Sequence, residues 1–513
     1  MKKIIYSFLC LGFILLITTC TDFLDTAPKD GTVTDATFFK TTADFDQYIF
    51  GTYVDIGGSF DGTGVTNWIK VEGFISQDIT GPDQLPKILS QYMTASNAQI
   101  TAFWTTFFHI NAKANQVLAK LKNATIPDDD KTRLEGEALF MRGFAYFNLA
   151  RAYGAVPLIL QPYDASQNFL KSTSVDSIWT QVFADLSKAA TELPTIADWG
   201  SANLGRATKG AAYAYLANAY MYEKEWANAE TASNSLIALG TYGLMPTVRS
   251  IFSLKTQNNV ESIFEVQFRD IADGKINWSG HEAGCVLPEY TSPRNIGNEW
   301  APAAGWGEMS GNRKLAESFE PGDDRRANLI AVPGDKYKGE LMTDTMRYSP
   351  DPNNALNGWS ATKPGPIGAG WATSCFSTKY WLGPEPSGTS YLFQNDVPVM
   401  RYAEFLLNYA EILFMQGKTS QAYQQMNLVR ERALLADLPE SSNPTTFMTA
   451  LMNERRHELN FEPNIWFHYT RTGTAASFLQ SEYNVTWNPA WSLFPIPQSE
   501  RDQNPNLAQN PGY

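Results

Sequence analysis

YAEFLLNYAEILFMQGKTSQAYQQMNLVRERA (402–433) reads as two helices joined by a short turn. Tyr409, Ala410 and Leu413 share one helical face, and Ala422, Met426 and Val429 share another. Gly417 lies between them, where the first helix must stop. Small residues let two helices approach, and large ones fill the groove between them. A second stretch, 211–238, places Leu216, Ala217, Tyr220, Trp226, Ala229 and Leu236 at the same offsets.

Both stretches resemble tetratricopeptide helix pairs, and together they predict a right-handed stack of such pairs. Around them, the period predicts helices near 100–122, 130–152, 175–193, 206–223 and 226–238, then 399–417, 419–436 and 445–460. Asp128, Asp129 and Asp130 favour the N-terminus of the second. Thr173 or Ser174 caps the third, and Pro194 ends it. FFKTTADFDQYIFGTY (38–53) reads as a first helix capped by Thr41 or Thr42. VESIFEVQF (260–268) alternates and predicts a short strand.

Two regions break this texture. Residues 57–98 lose periodicity and read as long loops carrying Trp68, Asp78 and Tyr92. Residues 278–391 hold 15 Gly and 11 Pro in 114 residues, about twice the chain's average, which marks loops and turns. The expected fold is mainly α: a tetratricopeptide-like scaffold with a large, irregular, loop-rich insertion carrying a few short strands. The helices lie mainly in 100–240 and 399–460, and the loop-rich side in about 57–98 and 260–398. The two helix groups share a repeat type, so they are expected to pack together.

The chain has 513 residues, 43% hydrophobic and 18% charged, which describes a folded protein. Its net charge of −13 argues against nucleic acid, which calls for a basic face. None of the four Cys and four His sits at CxxC or HxxxH spacing, so no structural zinc is expected. No cofactor is expected, and a structural Ca²⁺ has no motif to support it.

Met1-Lys2-Lys3 precedes an apolar run, Ile4 to Ile17, that ends in Thr18-Thr19-Cys20. Fourteen apolar residues are too few to span a bilayer but suit a secretory signal. Cys20 sits where a lipobox cysteine is cleaved and acylated, although Thr19 replaces the commoner Ala or Gly. Residues 1–19 are then a signal peptide, and the mature chain carries −15. Cys285 and Cys375 remain, either as a disulfide or as two free thiols.

LEGEALFMRGFAYFNLARAYGAVPLI (134–159), RATKGAAYAYLANAYMY (206–222), PGDDRR (321–326), RYAEFLLNYAEILF (401–414), ERRHELNFEPNIWFHYTRTG (454–473) and LFPIPQSERDQNPNLAQNPGY (493–513) occur in that order. With CTDFLDTAPKD (20–30), they resemble the SusD/RagB family over nearly the whole chain. Pro463, Asn464 and His468 depart from the family's pattern, in what reads as scaffold. The resemblance implies one SusD-like domain over 20–513, anchored by lipid in the outer membrane and facing outward. It implies a SusC-like TonB-dependent transporter as partner, a glycan or in some members a peptide as cargo, and no catalysis.

Sugar rings stack their C–H faces on indole and phenol rings. Trp278, Tyr290, Trp300, Trp306 and Trp359 lie in loops, where a ring has no helix-packing duty. By family analogy, the early loop with Trp68 and Asp78 and the segment near 275–310 make the ligand face. Core packing is the alternative for each. Trp104, Trp179, Trp226 and Trp466 fall on helical faces and read as core.

Other motifs point to no chemistry. HELNF (457–461) lacks the second His of a zinc-protease helix and reads as a surface or capping segment. Glu454, Arg455, Arg456 and Glu458 are expected to form ion pairs that fix helix contacts. GPIGAG (365–370) matches no phosphate loop. Asp323-Asp324-Arg325-Arg326 reads as a turn before a short helix. A secreted polysaccharide-degrading enzyme and a pure interaction scaffold remain as alternatives to a glycan- or peptide-binding protein.

Overall fold

Thr41 starts the first helix, α1 (Thr42–Gly57), through a capping box: its hydroxyl accepts the Asp44 N–H, and the Asp44 carboxylate accepts the Thr41 N–H. The computed structural model describes residues 38–58, 63–80, 89–164, 169–268, 284–292, 307–332, 336–337, 346–347, 374–381 and 394–513. After α1 comes α2 (Gly64–Ser76). Asn97 caps α3 (Ala98–Leu121), and three aspartates fill the first turn of α4 (Asp128–Tyr153). Ser174 caps α5 (Val175–Glu192), and Thr208 caps α6 (Lys209–Tyr222), which leads to α7 (Trp226–Ala238). The second group is α8 (Tyr402–Met415), α9 (Thr419–Arg432), α10 (Pro444–Leu459), α11 (Ile465–Thr472) and α12 (Ala475–Tyr483).

Successive helices pack side by side. Helix α4 lies against α3 and α5, α6 against α5 and α7, and α8 against α9. Gly143 permits the close approach of α4 and α5, since a Cβ there would sit 2.9 Å from Leu186 Cγ. Alanines 211, 212, 214, 217 and 219 are buried along α6 and serve the same purpose. The two groups meet where α7 packs on α8. There the Tyr409 hydroxyl donates to Asn234 Oδ1 (2.8 Å), and the Gln416 amide donates to the Trp226 carbonyl (3.3 Å). Trp104, Trp179 and Trp466 are buried, and Trp226 is half-buried against the core.

The strands are short: β1 (Ile79–Thr80), β2 (Ser262–Val266), β3 (Ser310–Asn312), β4 (Ile330–Ala331), β5 (Lys336–Tyr337), β6 (Met346–Arg347), β7 (Ser374–Ser377) and β8 (Val397–Arg401). One antiparallel sheet runs β1–β3–β7–β4, with Ile79 opposite Gly311, Gly311 opposite Cys375, and Ile330 opposite Ser377. Strands β2 and β8 pair separately, as do β5 and β6. Phe264 of β2 packs its ring 5.2 Å from Phe140 and 5.7 Å from Phe144, which fixes that strand to α4.

One expectation needs correction. Residues 57–98 are not all loop: they contain α2, with 12 of its 13 residues buried, and a short helix, Leu89–Tyr92. Helix α2 buries Asn67, Glu72 and Ser76 along with its apolar residues, so its letters show no polar face. Of the two alternatives left open for Cys285 and Cys375, free thiols hold. Both are free and buried, and Cys375 lies in β7, its thiol donating to the Asn312 carbonyl at 3.3 Å. Burial pushes both thiols up, Cys375 to about 12.

Candidate ligand-binding face

Helix α10 carries Glu454, Arg455, Arg456 and Glu458 within five residues, on faces that point in different directions. All four side chains are buried and paired. Arg325 donates to Asp323, to Glu454 Oε1 (2.5 Å) and to Glu458 Oε2 (3.0 Å). Arg401 reaches Glu261 (2.7 Å), Glu458 (2.5 Å) and Glu462 (2.6 Å). Arg432 joins Glu261 at 3.1 Å and also meets Glu458. Lys379 donates to the Glu458 carbonyl (2.9 Å) and pairs with Glu462.

These partners sit at the roots of the loop-rich side. Glu261 precedes β2, Lys379 follows β7, Arg401 ends β8, and Arg325 lies in the short helix Asp324–Leu329, capped by Asp323. The turn expected at Asp323–Arg326 lies earlier, at 321–322: Asp323 is the N-cap, Asp324 to Arg326 are already helical, and Arg325 is a fixed anchor. Burial opposes ionisation of Glu458, yet the guanidiniums of Arg432, Arg401 and Arg325 hold its carboxyl well below the usual range. The same contest brings Glu411 to about 2, through Arg471 and Arg455.

Asp78, expected on the ligand face, belongs to this network instead. Its carboxylate accepts Arg456 at 2.7 Å and the Tyr483 hydroxyl at 2.6 Å, and the residue is 6% exposed. It precedes β1 and ties that strand to α10 and Tyr483. Trp68 is likewise corrected. It lies in α2, 2% exposed, with its ring 5.6 Å from Phe107 and 5.9 Å from Phe103. Its indole N–H goes to Glu72, whose two oxygens also accept the Asn464 and Trp466 N–H groups at 2.9 and 2.8 Å. Glu72 thus caps α11 from another helix, and Trp68 offers no face to a sugar.

Tyr290, expected in a loop with an open ring face, is corrected too: it is 7% exposed and packs in the core. It lies in the short helix Leu287–Thr291, and its carbonyl accepts the Met309 N–H at 2.9 Å. The Lys70 ammonium stands 4.5 Å from its ring centroid and 3.9 Å from Glu308 Oε2. Lys70 and Glu308 escaped the sequence reading, because no local pattern connects an α2 lysine to residues far along the chain. Trp278, Trp300, Trp306, Trp359, the GPIGAG stretch and Cys20 lie outside the described residues.

HELNF is not a surface segment. His457 is buried, 3.1 Å from the Ser318 hydroxyl and stacked on Phe319 at 4.4 Å. Burial and nearby arginines push its pKa well down, so it packs as a neutral ring. Among the described residues, no group of three or more His, Cys, Asp or Glu is placed to hold a metal. The departures Asn464 and His468 also lie in the scaffold. Asn464 adopts φ +88°, which asparagine tolerates, and its carbonyl oxygen accepts Arg151 at 2.7 Å. His468 is buried 3.4 Å from Glu404.

Two family profiles divide this chain between them. One, the SusD family, matches residues 261–513, and one described as starch-binding, associating with outer membrane, matches 22–221. The chain belongs to the SusD/RagB family. Among its relatives, SusD-like protein P2 of Formosa agariphila is 27% identical, with both chains fully covered. A SusD-like protein of Bacteroides ovatus is 22% identical over 88% of this chain and 80% of its own. A solved SusD-like protein of Bacteroides fragilis superposes with TM-score 0.76 at 23% identity, covering 95% of this chain and all of that one. Surface glycan-binding protein A of Bacteroides fluxus gives 0.73 at 23%, covering 94% and 100%. A laminarin-binding SusD-like protein gives 0.74 at 22%, covering 93% and 100%. The SusD-like fold is thus shared, with the helical scaffold on one side and the loop-rich side rooted in α10.

Proposed function

We propose that this chain is a cell-surface glycan-binding lipoprotein that captures oligo- or polysaccharide and delivers it to a SusC-like TonB-dependent outer-membrane transporter. The match of both parts of the chain to SusD-family profiles carries this reading. Solved relatives described as glycan- and laminarin-binding support carbohydrate as the cargo. Cys20, at the end of its apolar run, is the residue that would take the lipid.

The mechanism is capture rather than catalysis. The aromatics Trp278, Trp300, Trp306 and Trp359 of the Gly- and Pro-rich segment are the stacking faces this reading assigns to sugar rings. The buried ion pairs hold the described segments that flank this part of the chain. Handover to the transporter requires release, so moderate affinity at each contact suits the task.

The test is a binding screen with residues 21–513 against plant, host and microbial glycans and a peptide mixture, with cleavage assayed in the same tubes. Binding of one glycan class without new reducing ends supports the proposal. Turnover of a polymer makes the protein an enzyme and refutes it. Peptide binding alone changes the cargo and refutes the carbohydrate part.

A further inference from the structure

We infer a second saccharide site on the helical scaffold: the groove between α3, α4 and α5, which takes an acidic sugar carrying carboxylate or sulfate groups. The groove has a volume of about 600 Å³, within the range of small-ligand sites. It shares no residue with the ion network of the loop side.

Its charge runs against that of the chain. Lys122, Lys131, Arg142 and Lys188 line it, against Glu135 and Asp185, in a protein of net charge −13. Both acids are already engaged. Asp185 accepts Arg142 at two points, 2.7 and 2.8 Å, and Glu135 pairs with Lys188. Two lysines are left with little competition. Among the described residues, Lys131 pairs with Asp128 alone, at 3.6 Å, whose side chain is 99% exposed. Lys122, at the end of α3, is exposed. An incoming anion therefore meets two ammonium groups, while the Arg142 guanidinium stays committed to Asp185.

The rest of the lining suits a sugar rather than a bare ion. Leu118, Leu139 and Leu160 give an apolar floor for the C–H face of a ring, and Leu160 is 41% exposed. Arg142 is held from behind by Asn115 Oδ1 at 3.1 Å, so the floor is set before a ligand arrives. Among the described residues no aromatic ring lines the groove, so a neutral sugar finds no stacking face there and the charge decides the preference. That the ligand is a saccharide rests on the function proposed above.

The test uses residues 21–513 in calorimetry at low salt, with polygalacturonate and dextran sulfate as acidic probes and laminarin and starch as neutral ones. Lys122→Glu with Lys131→Glu should weaken acidic binding about tenfold, the product of two exposed charge contacts, with neutral binding unchanged. Ala119→Trp fills the groove without altering charge and should weaken it similarly. Both variants should unfold thermally like the parent. Trp300→Ala with Trp306→Ala should spare acidic binding. The inference fails if acidic binding survives both groove variants, or is lost with the two tryptophans. It also fails if the parent binds neutral glycans only. A parent that binds no saccharide at all overturns the proposed function too.

Discussion

Glu458→Gln tests whether α10 holds the loop side in place. The Glu458 carboxylate meets Arg401 at 2.5 Å, Arg325 at 3.0 Å and Arg432, with every side chain at most 4% exposed. Removing one partner of a buried pair costs about 3–5 kcal/mol, because the other charge is stranded. Here the cations keep Glu261, Glu454, Glu462 and Asp323, and the glutamine oxygen still accepts one bond. The lower end, about 3 kcal/mol, is therefore expected. An unfolding entropy of about 2.1 cal/mol/K per residue gives about 1 kcal/mol/K for this chain, so Tm should fall by about 3 °C. The sign with pH is fixed as well. The Glu458 carboxyl lies well below its ordinary 4.5, so its contribution is complete above that value and is lost as pH falls through the folded pKa. The gap between parent and variant should narrow from pH 7 to pH 3 in urea melts. Hydrogen exchange should rise at 325–332, 378–381 and 397–401 and stay unchanged at 209–238. A variant within about 1 kcal/mol of the parent, or a gap independent of pH, would refute the reasoning.

Trp68→Ala should cost about 3–5 kcal/mol in a denaturant melt while the folded fraction keeps its ligand affinity, since the ring is core. Burial and the neighbouring Glu265 raise Asp396 to about 8. It therefore stays protonated when folded while the unfolded chain ionises from about 4, so stability falls as pH rises from 4 to 8. Asp396→Asn should flatten that slope and be the more stable form at pH 8, read from urea midpoints. Cys285 and Cys375 should react with a thiol reagent only in denaturant, as two thiols; protection that persists without reductant in denaturant would instead reveal a disulfide.

Where a helix is half-buried, its period is plain in the letters. In α5, Ile178, Trp179, Val182, Leu186 and Ala189 are buried while Thr180 and Lys188 face water, so the period survives in the letters. Helix α2 has no wet face, and its buried Asn67, Glu72 and Ser76 break the period. That is why it read as loop, and why Trp68 was placed with the ligand. The ion pairs of α10 were legible as charges at helical spacing, but not their partners. Asp78 lies 378 residues from Arg456, and Lys379 lies 83 from Glu462.

By itself, the sequence determined the helix pairs, their caps, the loop-rich insertion and the family, because these depend on spacing along the chain or on ordered motifs. Only the tertiary structure decided which polar groups are buried, which aromatic rings are core, and that both thiols are free. Those outcomes depend on what the fold brings alongside each residue. A carboxylate such as Asp78 or Glu72 looks the same in the sequence whether it faces water or an arginine, and the neighbour that settles the matter comes from a distant part of the chain.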